Sequence, residues 1–182
     1  MAYEPSFSPD GQSVVFETHK MDVKSNGIIT QYKIDGTGSF QPLTSPEEDC
    51  RPPNWSPIGN LILFQKFSER QWDIWVMDRN GHNQRKVTHG AGDKTDGSFS
   101  PDGKWIVYSS NERGIENANL FIISIFGGGS IRVSDSDGYD GAPSWSPDET
   151  WILFESCFCD PDDSSGTSLW NIKVPEYEKN NS

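Results

Sequence analysis

The stretch "PNWSPIGNLILFQKFSERQWDIWVMDRNGHNQRKVT", residues 53–88, contains each part of a pattern that returns along the chain. Its opening phrase, an aromatic residue followed by Ser-Pro, has three counterparts: "PSFSPDG" from Pro5, "GSFSPDG" from Gly97 and "PSWSPDE" from Pro143. The four starts are 48, 44 and 46 residues apart. Because self-similarity at a period of roughly 20 to 50 residues is typical of stacked structural units, we predict a protein of four repeats.

Each opening phrase precedes two apolar runs that have the length and composition of strands. The first runs are "SVVFET", "LILFQK", "WIVYSS" and "WILFES", and the second are "ITQYKID", "DIWVMD", "LFIISI" and "LWNIKV". In the first three repeats a further turn leads to a short strand ending "PLT", "KVT" or "IRVS". We therefore predict four strands in each complete repeat. The fourth repeat is expected to stop after three, because Pro175 and a polar tail follow.

The phrase Ser-Pro-Asp-Gly predicts a hairpin corner, with Pro at the second turn position and Gly where a positive φ is required. That Gly is Gly11, Gly59 and Gly103 in the first three repeats, whereas the fourth carries Glu149. A side chain in the left-handed conformation costs roughly 1 kcal/mol. We expect the fourth corner to be looser or differently shaped.

The first apolar runs do not alternate cleanly with polar residues, which indicates sheets that are covered on both faces. A four-stranded meander that repeats about every 45 residues and is sandwiched by its neighbours is a propeller blade. The predicted fold is therefore all-β: a single β-propeller domain with an incomplete last blade. The expected blades are residues 1–44, 45–88, 89–134 and 135–174, followed by a tail at 175–182.

The repeat resembles that of TolB and its relatives, called the PD40 or WD40-like repeat, from Pro5 to about Val174. The resemblance implies the propeller fold but is less specific for function, because the motif residues are structural. TolB itself is similar only in its six-bladed propeller, which follows a separate N-terminal domain and an export signal. The family therefore suggests the bacterial periplasm, although "MAYEPSFSPD" lacks the basic and apolar regions of a secretory signal.

Four blades of which the last is incomplete make closure within one chain doubtful. Only residues 1–4 precede the first phrase, too few to supply a missing outer strand. An open arc would expose the outward faces of its first and last blades. We expect a homodimer in which two chains complete one ring of eight blades. A compact four-bladed ring and a fragment of a longer gene are the alternatives.

Composition excludes several classes of partner. The net charge of -12, from 15 Lys and Arg against 27 Asp and Glu, argues against nucleic acid. No apolar run is long enough for membrane insertion. Three cysteines are expected to be free thiols, although Cys50 could pair with Cys157 or Cys159 in an oxidising compartment. The Cys157-x-Cys159 pair lacks the second half of a zinc site, so no metal or other cofactor is predicted.

The links between blades, "SPEEDCRP", "HGAGDKTD" and "DSDGYDGA", are acidic and share one face with the long connections "HKMDVKSNG", "NERGIENAN" and "CDPDDSSGTS". Binding residues in repeat folds concentrate on such loops. The candidate binding residues are Asp49, Arg51, His89, Asp93, Asp96, Asp137 and Asp140, with Glu47, Glu48 and Asp135 completing an acidic rim. Either these acids are ordinary solvated turn residues, or they form an electronegative mouth for a basic peptide or a cation.

No nucleophile elbow, phosphate loop or His-Glu-x-x-His motif occurs. Of the three histidines, at positions 19, 82 and 89, only His89 is expected to face the acidic rim. We therefore predict a noncatalytic module that binds a protein or peptide partner. The alternative is the propeller of an enzyme, either a serine peptidase or a carbohydrate lyase, which a central metal bound by His89 would favour. A gene product with no retained role is a third possibility.

Overall fold

A computed structural model describes residues 2–19, 26–111, 117–157 and 166–176. Within these ranges it contains fifteen strands and no helix, so no described helix could cross a membrane. The strands form four antiparallel sheets in chain order, three of four strands and one of three. This confirms the all-β fold, the four strands of each complete repeat and the incomplete last blade.

Each sheet is one blade, and its strands pair in sequence order. Blade 1 contains β1 (Ala2–Phe7), β2 (Ser13–Thr18), β3 (Ile28–Lys33) and β4 (Phe40–Pro42). Blade 2 contains β5 (Asp49–Trp55), β6 (Leu61–Ser68), β7 (Gln71–Asp78) and β8 (Arg85–Lys86). Blade 3 contains β9 (Lys94–Phe99), β10 (Trp105–Ser110), β11 (Asn119–Ser124) and β12 (Ile131–Arg132). Blade 4 contains β13 (Tyr139–Trp145), β14 (Trp151–Cys157) and β15 (Ser168–Lys173).

The first strand of each blade lies innermost, because β1, β5, β9 and β13 contact one another in series. All substantial strand contacts between blades join blades that are adjacent in sequence. The described residues therefore form an arc of four blades. The outward faces of its two end blades expose large apolar side chains. These are Phe7 and Phe40 on blade 1, and Trp151, Leu153 and Leu169 on blade 4.

A hydrophobic core fills each of the three junctions between blades. Val15, Ile29, Trp55 and Phe64 lie in the first core, Leu63, Ile74, Phe99 and Tyr108 in the second, and Val107, Ile122, Trp145 and Phe154 in the third. In the middle blades one strand thus supplies residues to two cores on alternate positions. Consecutive apolar residues are the result, as the sequence predicted.

A buried ion-pair network also joins blades 2 and 3. The Lys94 side chain is fully buried, and its Nζ donates hydrogen bonds to the carbonyls of Gly90, Ala91 and Gly92. The Asp73 carboxylate lies 3.6 Å from Lys94 Nζ and 2.6 Å from Lys86 Nζ. Lys94 therefore folds the link between the two blades against the start of β9.

The short outer strands are fixed by a repeated hydroxyl contact. Thr44, Thr88 and Ser134 each accept a hydrogen bond from a backbone N–H of the neighbouring third strand, at Ile29, Ile74 and Leu120, over 2.9 to 3.0 Å. The residue before each hydroxyl donates its own N–H to the carbonyl of the same third-strand residue. This explains why the repeats end in "LT", "VT" or "VS".

The fourth corner has the same shape as the others, so the expectation of a looser turn was wrong. Glu149 has a φ of 60°, within the left-handed region used by Gly11, Gly59 and Gly103. Its N–H donates to the Ser146 carbonyl over 3.0 Å, as in the other corners. Its carboxylate also accepts a hydrogen bond from the Asp102 N–H of blade 3 over 2.8 Å, which offsets the strain.

The second corner differs from the others in its side-chain contacts. Ser8, Ser100 and Ser146 each donate to the Asp two residues later over 2.5 to 2.7 Å. Blade 2 has Ile58 instead of that Asp, and the buried hydroxyl of Ser56 has no hydrogen-bond partner among the described residues. Ile58 lies against Gly103 of blade 3, where an added Cβ would come within 2.9 Å of it. Packing between blades thus replaces a polar contact within the turn.

Candidate binding site

The innermost strands share a β-bulge at the same position. Pairing with the second strand shifts register after Tyr3, Arg51 and Gly141, and between Thr95 and Ser98. Glu4, Asp96 and Ala142 occupy the bulges with φ of 49°, 55° and 46°. Such conformations are rare and costly for residues other than Gly. Bulges commonly change the direction of a side chain. Here they lie in the innermost strands, at the centre of the arc.

A cavity of about 400 Å³ lies at this centre, beside the bulges. It is lined by Tyr3, Glu4, Glu17, His19, Arg51, Pro52, Gln65 and Asp96. These residues come from the innermost strands of blades 1, 2 and 3 and from the ends of the second strands of blades 1 and 2. The repeat therefore brings three carboxylates, one guanidinium and one imidazole to a single opening.

Glu17 and Arg51 form the charged centre of the cavity wall. The Glu17 side chain is buried, and its Oε1 contacts His19 Nε2 and lies 3.7 Å from Arg51 Nε. Arg51 donates two hydrogen bonds to the Asp49 carboxylate, over 2.9 and 3.0 Å. It also lies over the Trp72 ring, 5.4 Å from the centroid. The guanidinium is therefore held by three neighbours and cannot neutralise every carboxylate around it.

The pKa of Glu4 reflects the closeness of the other two carboxylates. Burial raises the pKa of the Glu4 carboxyl, and the nearby charges of Glu17 and Asp96 raise it further. An acid whose ionised form is disfavoured by two other acids gains from any cation that enters. The cavity is therefore suited to a positively charged group.

Asp96 is oriented by neighbours from two blades. Its N–H donates to Gln65 Oε1 over 3.2 Å, and its carboxylate accepts a hydrogen bond from the Tyr139 hydroxyl over 3.0 Å. Burial raises the pKa of Tyr139 to about 12, and the Asp96 charge contributes. Tyr139 thus remains a donor, and the Asp96 carboxylate stays fixed at the cavity.

Three of the predicted binding residues meet at the central cavity. Arg51 and Asp96 line it, and Asp49 holds Arg51. His89 is exposed and lines neither described cavity, so its role stays a prediction. The carbonyls of residues 90–92, which follow His89, accept hydrogen bonds from Lys94 Nζ. His19, at the end of β2, is the histidine that lines the cavity.

The remaining predicted acids lie apart from this site. Asp93 lines a second cavity of about 240 Å³ between blades 3 and 4. Asp137 is exposed. Asp140 is almost fully buried: Ser136 donates to one carboxylate oxygen over 2.8 Å, whereas the other has no hydrogen-bond partner. Asp140 occupies the same position in its innermost strand as the buried residues Cys50 and Lys94.

The wider rim is not one acidic surface. Glu47 is exposed, Glu48 pairs with Lys66 over 2.5 Å, and Asp135 pairs with Arg132 over 2.7 Å. The long connections predicted to join the rim lie partly outside the described residues, at 20–25, 112–116 and 158–165. The described acids thus separate into one central group and several local pairs.

Sequence reasoning missed Glu4, Glu17, Gln65 and His19 as cavity residues. A signal existed, because the residue after the aromatic of each second strand is polar in all four repeats: Glu17, Gln65, Ser109 and Glu155. Each pairs with the innermost-strand residue that precedes the bulge. A polar residue at a fixed position in an otherwise apolar strand marks the wall of the central opening.

Metal and cysteine chemistry receive no support from the described ranges. No group of three or more His, Cys, Asp or Glu side chains in these ranges could hold a metal ion. Cys50 is a free thiol, and burial raises its pKa to about 12. Cys159 lies outside the described residues. Cys50 is therefore a buried packing residue rather than a reactive one.

Four-stranded meanders packed face to face in sequence order, with their innermost strands around a common cavity, define a β-propeller protein. The chain belongs to the TolB beta propeller domain family, whose PD40 model matches residues 1–153. This confirms the resemblance found in the repeat.

Two curated proteins and one solved structure show the range of similar proteins. The Agrobacterium fabrum protein Atu1656 is 27% identical over 149 residues, which cover 82% of this chain and 49% of that protein. The peptidase YuxL of Bacillus subtilis is 25% identical over 201 residues, covering 89% of this chain and 30% of the peptidase. The chain thus spans half or less of the length of these relatives.

The crystal structure of TolB from Acinetobacter baumannii superposes with a TM-score of 0.76 at 19% identity. The match covers 96% of this chain and 41% of the other. At this identity the likeness supports the fold alone.

Proposed function

We propose that this chain is a noncatalytic binding module whose central cavity takes a basic side chain of a protein or peptide partner. The observation that carries the proposal is the convergence of Glu4, Glu17 and Asp96 on one opening between three blades. A Lys or Arg side chain entering this opening would relieve repulsion between the carboxylates. Arg51, already paired with Asp49, would limit how deep the cation could go.

The positions of the carboxylates favour a ligand over a merely solvated turn. Asp96 and Glu4 adopt left-handed φ, a cost that persists where the surrounding structure holds it, often at functional sites. Both line the same cavity, whereas the exposed Glu47 lies outside it. Electrostatic complementarity of this kind sets specificity and association rate more than affinity.

A peptide titration tests the proposal directly. A short peptide with one central Lys should bind the 182-residue chain, and the same peptide with Glu in that position should not. Glu4→Gln combined with Asp96→Asn should weaken binding by about tenfold or more, since about 1.4 kcal/mol is lost per factor of ten. Binding should also weaken as salt is raised.

Glu47→Gln provides the matched control. It removes the same charge from an exposed residue outside the cavity and should leave peptide binding unchanged. Equal loss in the Glu47 and the Glu4/Asp96 variants would show that net charge alone attracts the peptide, and the cavity would then have no special role.

The proposal includes association of two chains through the outward faces of blades 1 and 4. Phe7 and Phe40 on one face and Leu153 and Leu169 on the other are exposed at 47% to 71%. Exposed apolar patches of this kind mark interaction surfaces. Light scattering at micromolar concentration should give twice the chain mass, and Leu169→Lys should reduce it to one. A single-chain mass in the unaltered protein would argue against this part.

A second candidate function comes from the likeness to YuxL. The match covers 30% of that peptidase, so this chain is similar to one part of it. Under this alternative the propeller would serve as an accessory region of a peptidase. Saturable binding of the 182-residue chain to the remaining part of a YuxL-like peptidase, with no hydrolysis of short peptides by the chain alone, would favour it over simple peptide binding.

A further inference from the structure

We propose that the outer edge of blade 4 binds an extended segment of a partner protein in which an aliphatic residue is followed by Ser or Thr. The inference concerns a different surface from the central cavity and does not depend on the function proposed there. It rests on a pair of hydrogen bonds between the third strand and the outer segment of a blade. Blades 1, 2 and 3 each form this pair internally, whereas the described residues of blade 4 do not.

The pattern consists of two hydrogen bonds to one residue of the third strand. In blade 2 the Val87 N–H donates to the Ile74 carbonyl over 2.8 Å, and the Ile74 N–H donates to Thr88 Oγ1 over 3.0 Å. Leu43 and Thr44 contact Ile29 in the same way in blade 1, and Val133 and Ser134 contact Leu120 in blade 3. The third strand thus holds the outer segment through one backbone N–H and one side-chain hydroxyl of that segment.

Leu169 occupies the equivalent position in blade 4. Ile74 pairs with Gln65 of the second strand, and Leu169 pairs with Glu155 in the same register. The N–H and C=O of Leu169 therefore point away from β14. Strand β15 forms the edge of a three-stranded sheet, and no described residue pairs with that edge. An unpaired edge of this kind is a template for strand addition.

The side chains at this edge specify the chemistry of the segment. In blades 1 and 2 the aliphatic residue before the hydroxyl, Leu43 or Val87, is buried in a junction core. In blade 4 it would lie beside the exposed side chain of Leu169 and reduce its contact with water. The residues of the three internal outer strands are neutral or basic, never acidic. The segment therefore contains an aliphatic residue followed by Ser or Thr, and its other side chains are neutral or basic.

A second copy of this chain is not the expected occupant. The three segments with this pattern in the described residues, Leu43-Thr44, Val87-Thr88 and Val133-Ser134, are already paired within their own blades. Another copy could provide one only by unfolding a blade. We assign the edge to a free extended segment of a different protein.

The test uses a labelled, end-blocked peptide "FQPLTS", copied from residues 40–45, with the full 182-residue chain. This peptide carries no charge, so the acidic cavity cannot account for its binding. Fluorescence anisotropy should show saturable binding. Methylation of the Leu nitrogen, which removes the donor expected to meet the Leu169 carbonyl, should weaken binding by about tenfold.

Two protein variants complete the experiment. Leu169→Pro removes the N–H that points to the edge, a substitution that edge strands tolerate, and should weaken binding while the exposed control Glu47→Gln should not. The methylated peptide leaves the protein unaltered, so the test does not depend on folding of the Pro variant. Equal binding of both peptides, or no saturable binding, would overturn the proposal. Peptide-induced dissociation of a dimer would also overturn it, because a second copy would then hold the edge.

Discussion

The junctions between blades and the outward faces of the end blades use equivalent sequence positions but differ in exposure. Leu63 of blade 2 and Leu153 of blade 4 both face the following blade position, and their exposures are 1% and 47%. At the other end, Trp55 is 5% exposed and the equivalent Phe7 is 64% exposed. The same kind of residue is thus core or surface according to whether a neighbouring blade covers it.

This difference shows where the stability of the arc resides. A blade contributes one half of each core that it touches, so the free energy belongs to the junction rather than to the single sheet. Leu153 and Leu169 are apolar, as core residues are, but they are not buried. These residues therefore contribute little to folding until another surface covers them.

Matched leucine substitutions should give the largest effect. Leu63→Ala should lower the free energy of unfolding by about 3 kcal/mol, because it opens a cavity in the junction of blades 2 and 3. In the Leu169→Lys background, in which the proposed association is broken, Leu153→Ala should cost less than about 1 kcal/mol, since the side chain is half exposed in the single chain. Urea denaturation of both variants measures the two values. Equal losses would mean that the outward face of blade 4 is covered in solution.

A smaller gain is expected at the second corner, where an interblade contact replaced a polar one. Ile58→Asp restores the Ser-Pro-Asp pattern and gives the buried Ser56 hydroxyl a partner, which should raise stability by about 1 kcal/mol. Ile58→Ala removes the contact with Gly103 without adding an acceptor and serves as the control. If both variants lose stability equally, packing at this junction outweighs the hydroxyl.

The smallest effect should appear at the central end of blade 1. Because the pKa of Glu4 is raised, the folded state favours the protonated form, and this stabilisation is lost as pH rises above the ordinary Glu value. Glu4→Gln should therefore match the unaltered protein at about pH 4 and exceed it slightly in stability at about pH 7. Thermal unfolding at the two pH values measures the difference. A lower stability of the variant at neutral pH would contradict the crowding of Glu4, Glu17 and Asp96.

The fold could be predicted from the sequence because each repeat contains local sequence signals for its strands and corners. Four copies of one pattern fix strand order, and consecutive apolar residues such as those of "LILF" indicate burial on both faces. The corner at Glu149 was mispredicted because its strain is offset by a contact with Asp102, 47 residues earlier in the chain. A local turn rule does not include that contact.

The candidate site was only partly predictable for a similar reason. Asp49 and Arg51 lie where a predicted link enters an innermost strand, so their place near the centre followed from topology. Glu4 and Asp96 reach the cavity through left-handed bulges, which no sequence signal announced. The role of His89 stays a prediction, since this residue is exposed and lines neither described cavity. The repeat pattern thus does not predict the bulge conformations or the contacts that buried side chains make with the links.

The contacts between sequential blades also determine how the arc would come apart. Blades 2 and 3 are each held on two sides, whereas blades 1 and 4 each have one neighbour in the described contacts. Opening an end blade breaks one junction, while opening a middle blade breaks two. Fraying should therefore start at either end and travel inward, so that thermal motion samples partly opened arcs long before the centre is lost.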